Sequence, residues 1–304
     1  IHKEFLFNMV KDLPLFRQGG ARDYLTQKDF LEIQIPLPPI EVQREIVAEI
    51  EGYQKIIDGA RQVVDHWKPD VQGYLDEELK NFHTESTEHT EKGKPSVNSV
   101  SSVRPDSSGW PMVKLGDVII DKPKNGYSGK PVDYATQWKV LSLSATTQGY
   151  LKKEFFKYLD ESFDDNFYAV CRKGDIYLQR GNTSELVGMP AIFDIDEKGY
   201  IFPDLMIRIV ADNAKINTYY LHRYLLSKQG REYLTSNATG AAGNMPKINQ
   251  SIVESMPIPL PPIEVQERIV AKIEAERKSV DGCRDLMKTY EEKIKRVIDS
   301  VWEG

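Results

Sequence analysis

The nonapeptide IPLPPIEVQ occurs twice in this 304-residue chain, at residues 35–43 and again at residues 258–266. The repeat continues downstream at the same offset, so that 18 of 33 aligned positions are identical. An internal repeat is the mark of a duplicated structural unit, and missing it would lead to a wrong fold. Each unit reads as a loop, a proline-rich lead-in and a helix. The sequence therefore predicts one arrangement built twice.

The segment after each nonapeptide carries apolar residues at alternating steps of four and three, which is the spacing of a coiled-coil heptad. The lead-in prolines hold the chain extended and place a proline at the start of each helix, where its missing N–H costs nothing. Pro69 predicts that the first helix ends near Trp67. Two such seams in one chain favour packing on each other. The interface candidates are Ile50, Ile57, Val64, Ile273, Val280 and Met287.

Between these helices the composition changes twice. Residues 81–109 are polar and of low complexity, which predicts a flexible linker. Residues 110–257 predict a separate globular domain of α+β class. Its β-like runs are 112–115, 118–120, 140–143, 175–178, 189–193 and 205–210, and its helical stretch is 218–236.

Charge and cysteine content exclude several classes of protein. A formal net charge of −6 argues against a protein that binds phosphate non-specifically over its whole surface. Cys171 and Cys283 fit neither a disulfide framework nor a metal cluster, and no signal peptide opens the chain. No apolar run approaches the roughly 20 residues needed to span a bilayer. We expect a cytoplasmic protein with no membrane segment, metal or cofactor.

The sequence contains no recognisable catalytic motif. It lacks a glycine-rich phosphate loop, an Asn-Pro-Pro-aromatic methyltransferase motif, a nucleophile elbow and a His-Glu-x-x-His pair. His222 lies on an apolar helix stripe and is interpreted as a packing residue. Carboxylate pairs such as Asp164 and Asp165 are interpreted as solvated loop ends. We therefore expect a protein that is not an enzyme.

Three loops offer side chains suited to phosphate oxygens and base edges. Loop 1 is KPKNGYSGK (residues 122–130), loop 2 follows the strand-like GDIYLQ (residues 180–188) and loop 3 is TGAAGNMPKINQ (residues 239–250). Each loop alone is ordinary protein surface, but together they are candidates for DNA contact. The candidate residues are Lys124, Asn125, Tyr127, Ser128, Arg180, Asn182, Thr183, Ser184, Asn244 and Lys247.

Four stretches, in this order, are similar to those of a known family. They are the doubled IPLPPIEVQ followed by I-V-A-x-I-E, WPMVKLGDV from Trp110, GDIYLQRGNTSELVG, and GNMPKINQSIVESMPIPLPP. Together they resemble the DNA-specificity subunit of Type I restriction–modification enzymes. The resemblance covers nearly the whole chain apart from the linker.

The resemblance implies two target-recognition domains that alternate with two helices, which pair as an antiparallel coiled coil. The chain is then divided into the C-terminal remnant of a first recognition domain, a central conserved helical region, the linker, a second recognition domain and a distal conserved helical region. These parts correspond to residues 1–34, 35–80, 81–109, 110–257 and 258–304. We expect a longer protein whose missing part lies upstream.

The resemblance also implies a function in DNA methylation and host defence. The chain would read one half of a bipartite DNA target as a non-catalytic subunit, and its conserved helices would dock methyltransferase subunits. The implied partners are double-stranded DNA, the methyltransferase subunits and, through the complex, restriction/translocase subunits. Two alternatives remain: a coiled-coil scaffold whose globular domain binds protein, and the reader region of an enzyme whose catalytic part lies upstream.

Overall fold

The computed structural model describes residues 1–11, 34–88, 109–240 and 245–303. The chain forms two compact units. Unit 1 combines Ile1–Trp67 with Ala275–Gly304, and unit 2 is the intervening Lys68–Glu274. The helices are α1 (Lys3–Val10), α2 (Ile40–His66), α3 (Val71–Glu88), α4 (Thr218–Leu226), α5 (Lys228–Ser236), α6 (Gln250–Glu254) and α7 (Ile263–Glu303).

Unit 1 is built from α1, α2 and the second part of α7. The rings of Tyr53, in the middle of α2, and Tyr290 lie 5.3 Å apart. Trp67, directly after the end of α2, donates its indole N–H to Glu276 at 3.3 Å. Because late positions of α2 meet early positions of α7, the two helices run antiparallel, as predicted. The core of unit 1 also includes α1, and its buried cluster is Phe5, Met9, Val47, Ile50, Ile57, Ile294 and Ile298.

Helix α2 begins and ends where the sequence predicts. Pro39 precedes its first residue, and Glu41 lies in the first turn, where the helix dipole favours a negative charge. The helix stops at His66, and Trp67 is already extended with ψ 128°. Pro69 two residues later explains this end, because a proline ring disfavours helical geometry before it. The predicted end near Trp67 is confirmed.

The described residues of unit 2 form ten strands. They are β1 (Met112–Lys114), β2 (Lys124–Asn125), β3 (Pro131–Val132), β4 (Trp138–Leu141), β5 (Phe156–Leu159), β6 (Ile176–Gln179), β7 (Pro190–Ile192), β8 (Tyr200–Ile201), β9 (Met206–Ile209) and β10 (Pro257–Pro259). The first sheet has the order β2-β9-β6-β7 and the second β3-β5-β4-β8, while β1 pairs with β10. All neighbouring strands are antiparallel except β4 and β8.

Both four-stranded sheets contribute to one aromatic-rich core. Tyr177 from the first sheet packs against Phe202 with the rings tilted and their centroids 4.9 Å apart, and Trp138 from the second meets Phe163 edge-on at 5.3 Å. Tyr177, Phe202 and Trp138 are all buried in this cluster. Ring pairs of this kind add stability beyond their buried area. The core fixes the ends of the strands from which the loops emerge.

The predicted β-like runs are confirmed at 112–115, 140–143, 175–178, 189–193 and 205–210, although with shifted ends. The run at 118–120 is wrong, because Leu115–Val118 is a 3-10 helix and only Ile119 forms an isolated bridge. Asp117 closes that turn by accepting a hydrogen bond from the Lys114 N–H at 3.3 Å. A side-chain cap of this kind offers the backbone an alternative to strand pairing.

The helical stretch 218–236 is two helices rather than one. Ser227 lies between them with extended backbone, and its hydroxyl accepts from the Gly230 N–H at 3.2 Å. A side chain at Gly230 would begin 2.2 Å from the Tyr224 carbonyl oxygen, so only glycine fits this close approach.

Helix α3 continues to Glu88, beyond residue 81 where the sequence predicts the linker to begin. A helix that has already formed is extended at little cost, because nucleation is the unfavourable step. The rest of the predicted linker, residues 89–108, lies outside the described residues. The domain boundaries themselves stay a prediction.

The first nonapeptide is fastened by its last residue. Gln43 is only 3% exposed. Its amide donates to the Pro38 carbonyl at 2.7 Å and accepts from the His2 N–H at 2.9 Å. His2 is the N-cap of α1. The glutamine therefore ties the proline-rich lead-in to the start of a preceding helix.

The second nonapeptide is fastened in the same way. Gln266 is fully buried. It donates to the Pro261 carbonyl at 2.8 Å and accepts from the Asn217 N–H at 2.8 Å, and Asn217 is the N-cap of α4. The verbatim repetition thus preserves one hydrogen-bond arrangement in each unit. Within the described ranges, no helix has the length and apolar character needed to cross a membrane.

Candidate nucleic-acid interface

Strand register brings the predicted loops to one end of the first sheet. Asn125, the last residue of β2, pairs with Ile207, and Gln179, the last residue of β6, pairs with Met206 at the start of β9. Because antiparallel neighbours alternate in direction, loop 1, loop 2 and the turn of residues 202–205 all leave the sheet at the same end of its strands. We call this end of the sheet the loop end.

Loop 3 returns to the loop end through backbone pairing with loop 2. Gly181 and Lys247 form an antiparallel bridge. The Ile248 N–H donates to the Arg180 carbonyl at 2.8 Å, and the Asn182 N–H donates to the Pro246 carbonyl at 3.4 Å. Two loops that are distant in sequence thus form one continuous surface.

Loop 1 and loop 2 are joined by the turn at residues 202–205. The Tyr127 N–H donates to the Phe202 carbonyl at 3.0 Å, and the Asp204 N–H donates to the Tyr127 carbonyl at 3.2 Å. On the other side, the Arg180 N–H donates to the Leu205 carbonyl at 2.7 Å. All three loops are therefore fixed to one another through their backbones.

Several predicted contact residues have side chains open to solvent at this surface. Lys124, Ser128, Thr183, Ser184 and Lys247 are exposed, and Arg180 is half-buried. One Arg180 guanidinium nitrogen lies 3.5 Å from the Asp204 carbonyl oxygen. Among the described residues, no carboxylate forms an ion pair with Lys124, Arg180 or Lys247. These three cations are available to phosphate oxygens or to base edges.

Asn182 is engaged within the protein. Its amide nitrogen donates to the Gln179 side chain, and its amide oxygen accepts from the Thr183 N–H at 2.7 Å. Gln179, which the sequence reasoning missed, is fully buried and donates in turn to the Leu143 carbonyl and the Thr146 hydroxyl, each at 3.0 Å. The available signal was a single polar residue ending the otherwise apolar run IYLQ. Asn182 thus anchors loop 2 to the core.

Tyr127 is likewise built into the protein. Its hydroxyl donates to Glu161 at 2.5 Å, and this hydrogen bond, together with partial burial, raises the pKa of the phenol above its ordinary value. Its ring meets Phe163 and Phe167 edge-on. Tyr127 therefore holds loop 1 against the aromatic core of unit 2.

The remaining DNA-contact candidates are less defined. Among the described residues, the buried amide oxygen of Asn125 has no hydrogen-bond partner. Asn244 lies outside the described residues. Contact with DNA stays a prediction for all ten candidates.

A buried ion pair links the residue before β6 to β9, toward the end of the sheet opposite the loops. The Arg208 Nε lies 2.6 Å from Asp175 Oδ2, and the Tyr177 hydroxyl donates to the same carboxylate at 3.1 Å. Burial raises the pKa of Asp175, although the hydrogen bond and charge of Arg208 partly offset this. Burial also raises the pKa of the nearby Cys171 thiol, which keeps it protonated. This group stabilises β6 and β9, from which loop 2 and the 202–205 turn extend.

The predicted seam residues fall in both units. Ile50, Ile57 and Met287 belong to or border the unit 1 core. Val280 is 2% exposed and Val64 is half-buried, also in unit 1. Ile273 is fully buried but belongs to unit 2. Their part in assembly stays a prediction.

Comparison with known proteins agrees with the resemblance in the sequence. The family model for the type I restriction modification DNA specificity domain matches residues 2–63 and 107–296, which is well over half of the chain. One similar solved chain comes from a structural study of complex assembly and conformational transition of the type I R-M system. Its TM-score is 0.55 at 20% identity, over 99% of this chain and 70% of that one. That likeness concerns the fold alone.

Two curated relatives are type I restriction enzyme specificity subunits. The MjaVIII subunit of Methanocaldococcus jannaschii is 23% identical over 286 residues, covering 92% of this chain and 62% of that protein. The EcoKI subunit of Escherichia coli K12 is 21% identical over 258 residues, covering 84% of this chain and 53% of that protein. The chain thus spans less than two thirds of the length of either relative. On the strength of the family match, the chain belongs to the type I restriction modification DNA specificity domain family.

Proposed function

We propose that this chain is a sequence-specific DNA reader of a type I restriction–modification complex. It reads one half of a bipartite target with the loop end of the first sheet. The observation that carries this proposal is the meeting of three loops at one edge, with Lys124, Arg180 and Lys247 free of carboxylate partners within the described residues. Unpaired cations on polar loops suit a duplex, because phosphate contacts position a protein and base contacts specify the sequence.

The residues of the loop end divide by the contacts they can make. Lys124 and Lys247 are exposed ammonium groups, which suit phosphate oxygens as point charges. Arg180 carries a planar fork that can grip the two acceptors of guanine in the major groove. Thr183 and Ser184 add hydroxyls that can donate to or accept from a base edge. Asn182 and Tyr127 act by holding these residues in place.

The proposal gives the chain a non-catalytic role. It docks methyltransferase subunits through the helices of unit 1 and reaches the restriction/translocase subunits through the assembled complex. The support is family membership and the names of the relatives, which are specificity subunits. Such a complex acts on cellular DNA, so we place the protein in the cytoplasm, as a component of DNA methylation and host defence.

The test is selection from a randomised duplex pool by the full chain, with and without a methyltransferase subunit, at two salt concentrations. We expect enrichment of one short sequence at a fixed position. We also expect affinity to fall with salt in proportion to the number of phosphates contacted. Binding without enrichment would reduce the chain to a non-specific DNA binder. Absence of binding in both preparations would favour a protein-binding scaffold and contradict the proposal.

A further inference from the structure

We infer that Arg231, on helix α5, is a positioning residue that fixes loop 2 for sequence reading. The inference rests on the proposed function and adds to it a residue that does not touch DNA. Arg231 lies 43 positions or more from every residue in the 180–188 loop. Neither its place in the sequence nor its helical context indicates the connection.

The contact between Arg231 and loop 2 is direct. One terminal guanidinium nitrogen, Nη2, donates to the Glu185 carbonyl at 3.0 Å and to the Val187 carbonyl at 2.7 Å. The side chain is half-buried, and burial lowers the pKa of the guanidinium to about 10, so the group stays charged near neutral pH. Hydrogen bonds from a charged donor are stronger than those between neutral groups. Two of them hold the second half of the loop.

The end of loop 2 is seated against the same helix. The Gly188 N–H donates to the Gln179 carbonyl at 2.7 Å, which closes the loop on its own strand. Gly188 has φ +71°, and a side chain there would begin 2.7 Å from the Leu234 Cβ. Both the left-handed conformation and the close approach require glycine. Helix α5 thus fixes the end of the loop as well as its middle.

The first half of the loop is held from the opposite side. Asn182 connects it to buried Gln179, as described above. Between the two attachments, the Leu186 and Val187 N–H groups both donate to the Thr183 carbonyl, at 3.1 and 2.9 Å. The exposed Thr183 and Ser184 therefore sit at the tip of a loop that is tied on both flanks.

A tied loop has a specific consequence for recognition. Ordering a free loop on binding costs free energy, so a loop already held in its bound form binds its target more tightly. Phosphate contacts tolerate small displacements, whereas hydrogen bonds to base edges demand accurate placement. Removing the hydrogen bonds between Arg231 and loop 2 should therefore reduce discrimination between sequences more than it reduces overall affinity for DNA.

The experiment compares Arg231→Gln and Arg231→Lys with Lys228→Gln in the full chain. Lys228 lies on the same helix, its side chain is 83% exposed, and its replacement removes the same charge. Binding is measured to the selected half-site and to a scrambled duplex over a range of salt. We expect Arg231→Gln to lower the ratio of the affinity for the selected half-site to that for the scrambled duplex about tenfold, with an unchanged salt slope. Arg231→Lys should retain part of the ratio, and Lys228→Gln all of it.

Two other results of the binding experiment would contradict the inference. Equal losses on both duplexes, with the salt slope reduced by about 1, would make Arg231 a phosphate contact. An unchanged affinity ratio in Arg231→Gln would remove its positioning role.

Hydrogen exchange of the amides at residues 183–188 provides a readout without DNA. Faster exchange in Arg231→Gln than in Lys228→Gln is expected, and equal exchange would overturn the inference. If the wild-type chain shows no sequence preference, the proposed function fails while the exchange result still stands.

Discussion

Arg180 and Lys247 face the same surface but should contribute differently to binding. The backbone of Arg180 is fixed on both sides, by Leu205 and by Ile248, so its guanidinium projects from an anchored position. If Arg180 reads a base pair bidentately, Arg180→Ala should cost about 1–3 kcal/mol on the selected sequence and relax specificity at one position. Competition binding against single-base variants of the selected duplex measures this. Even loss over all sequences would assign Arg180 to phosphate, and unchanged binding would remove it from the site.

Lys247 is predicted to be a phosphate contact. Its ammonium group is exposed, and its backbone is paired with Thr239, with N–H to carbonyl distances of 2.8 Å in both directions. Lys247→Ala should therefore weaken binding uniformly across sequences and lower the salt slope by about 1. Titrations of selected and scrambled duplexes at three salt concentrations provide the test. A loss confined to the selected duplex would show that Lys247 reads bases instead.

The buried ion pair of Asp175 and Arg208 should matter to stability. Removing one partner of a buried ion pair leaves the other charge uncompensated, which costs about 3–5 kcal/mol. Arg208→Met should therefore lower the free energy of unfolding by that amount, because Asp175 would remain buried. Exposed Arg172 is the matched control, and Arg172→Met should change little. Urea unfolding of both variants gives the comparison, and a loss below about 1 kcal/mol for Arg208→Met would contradict it.

At this scale the sequence reveals residue types but not their partners. The amide and phenol of Asn182 and Tyr127 suit DNA contact, yet both are engaged within the protein. Tyr127 donates to Glu161, which lies 34 positions away, and Arg231 donates to the Val187 carbonyl, which lies 44 positions away. Such pairings depend on tertiary structure. The exposed lysines could be predicted because a charged side chain in a polar loop stays in solvent in most folds.

Among the elements, the duplicated lead-ins yield a paired prediction. Gln43 and Gln266 each join a proline carbonyl to the N-cap of another helix, and both are buried. Methionine preserves the volume but removes both hydrogen bonds and leaves buried polar groups unpaired. Gln43→Met and Gln266→Met should each cost about 1–3 kcal/mol.

The control for these variants is Gln62→Met, because Gln62 lies exposed on α2. The measurement is differential scanning calorimetry. It reports the unfolding transitions of the two units separately where they are resolved. A large loss for one glutamine and none for the other would show that the two copies are equivalent in sequence but not in energetics.

Helices were easier to predict than strands, and the reason is physical. The heptad spacing of α2 and α7 and the proline that ends α2 are local features of the sequence. The strands β2, β3 and β8 have two residues each, and no alternation pattern can be read in so short a segment. They exist because neighbouring strands pair with them. The gathering of three loops at one edge follows from strand register, which sequence spacing alone does not fix.

For the whole molecule, the central observation is that unit 1 joins the first part of the chain to the last. Its core packs α1 and α2 against residues near the end of α7, whereas unit 2 is continuous in sequence. Helix α7 contributes residues to both units. Stability of unit 1 therefore depends on contacts between distant parts of the chain, and stability of unit 2 depends mainly on its own sheets.

Two neighbouring isoleucines on α2 differ in burial and should therefore differ in how much they stabilise unit 1. Ile57 is 1% exposed in the unit 1 core, and Ile56 is 37% exposed. Ile57→Ala should cost about 2–5 kcal/mol, because it removes buried methyl groups and leaves a cavity, whereas Ile56→Ala should cost little. Hydrogen exchange should rise across α1, α2 and the end of α7 in Ile57→Ala, with the strands of unit 2 unchanged.

The same pair of variants separates assembly from DNA reading. If unit 1 docks the methyltransferase and the loop end of unit 2 reads DNA, Ile57→Ala should weaken methyltransferase binding. Its affinity for the selected duplex should stay unchanged at temperatures where unit 2 remains folded. Ile56→Ala should leave both intact, unless its exposed side chain contacts the methyltransferase. Pull-down and duplex titration on the same preparations measure the two properties. Equal loss of both in Ile57→Ala would show that the units are energetically coupled through α7, and reading and docking would then have to be treated as one property of the molecule.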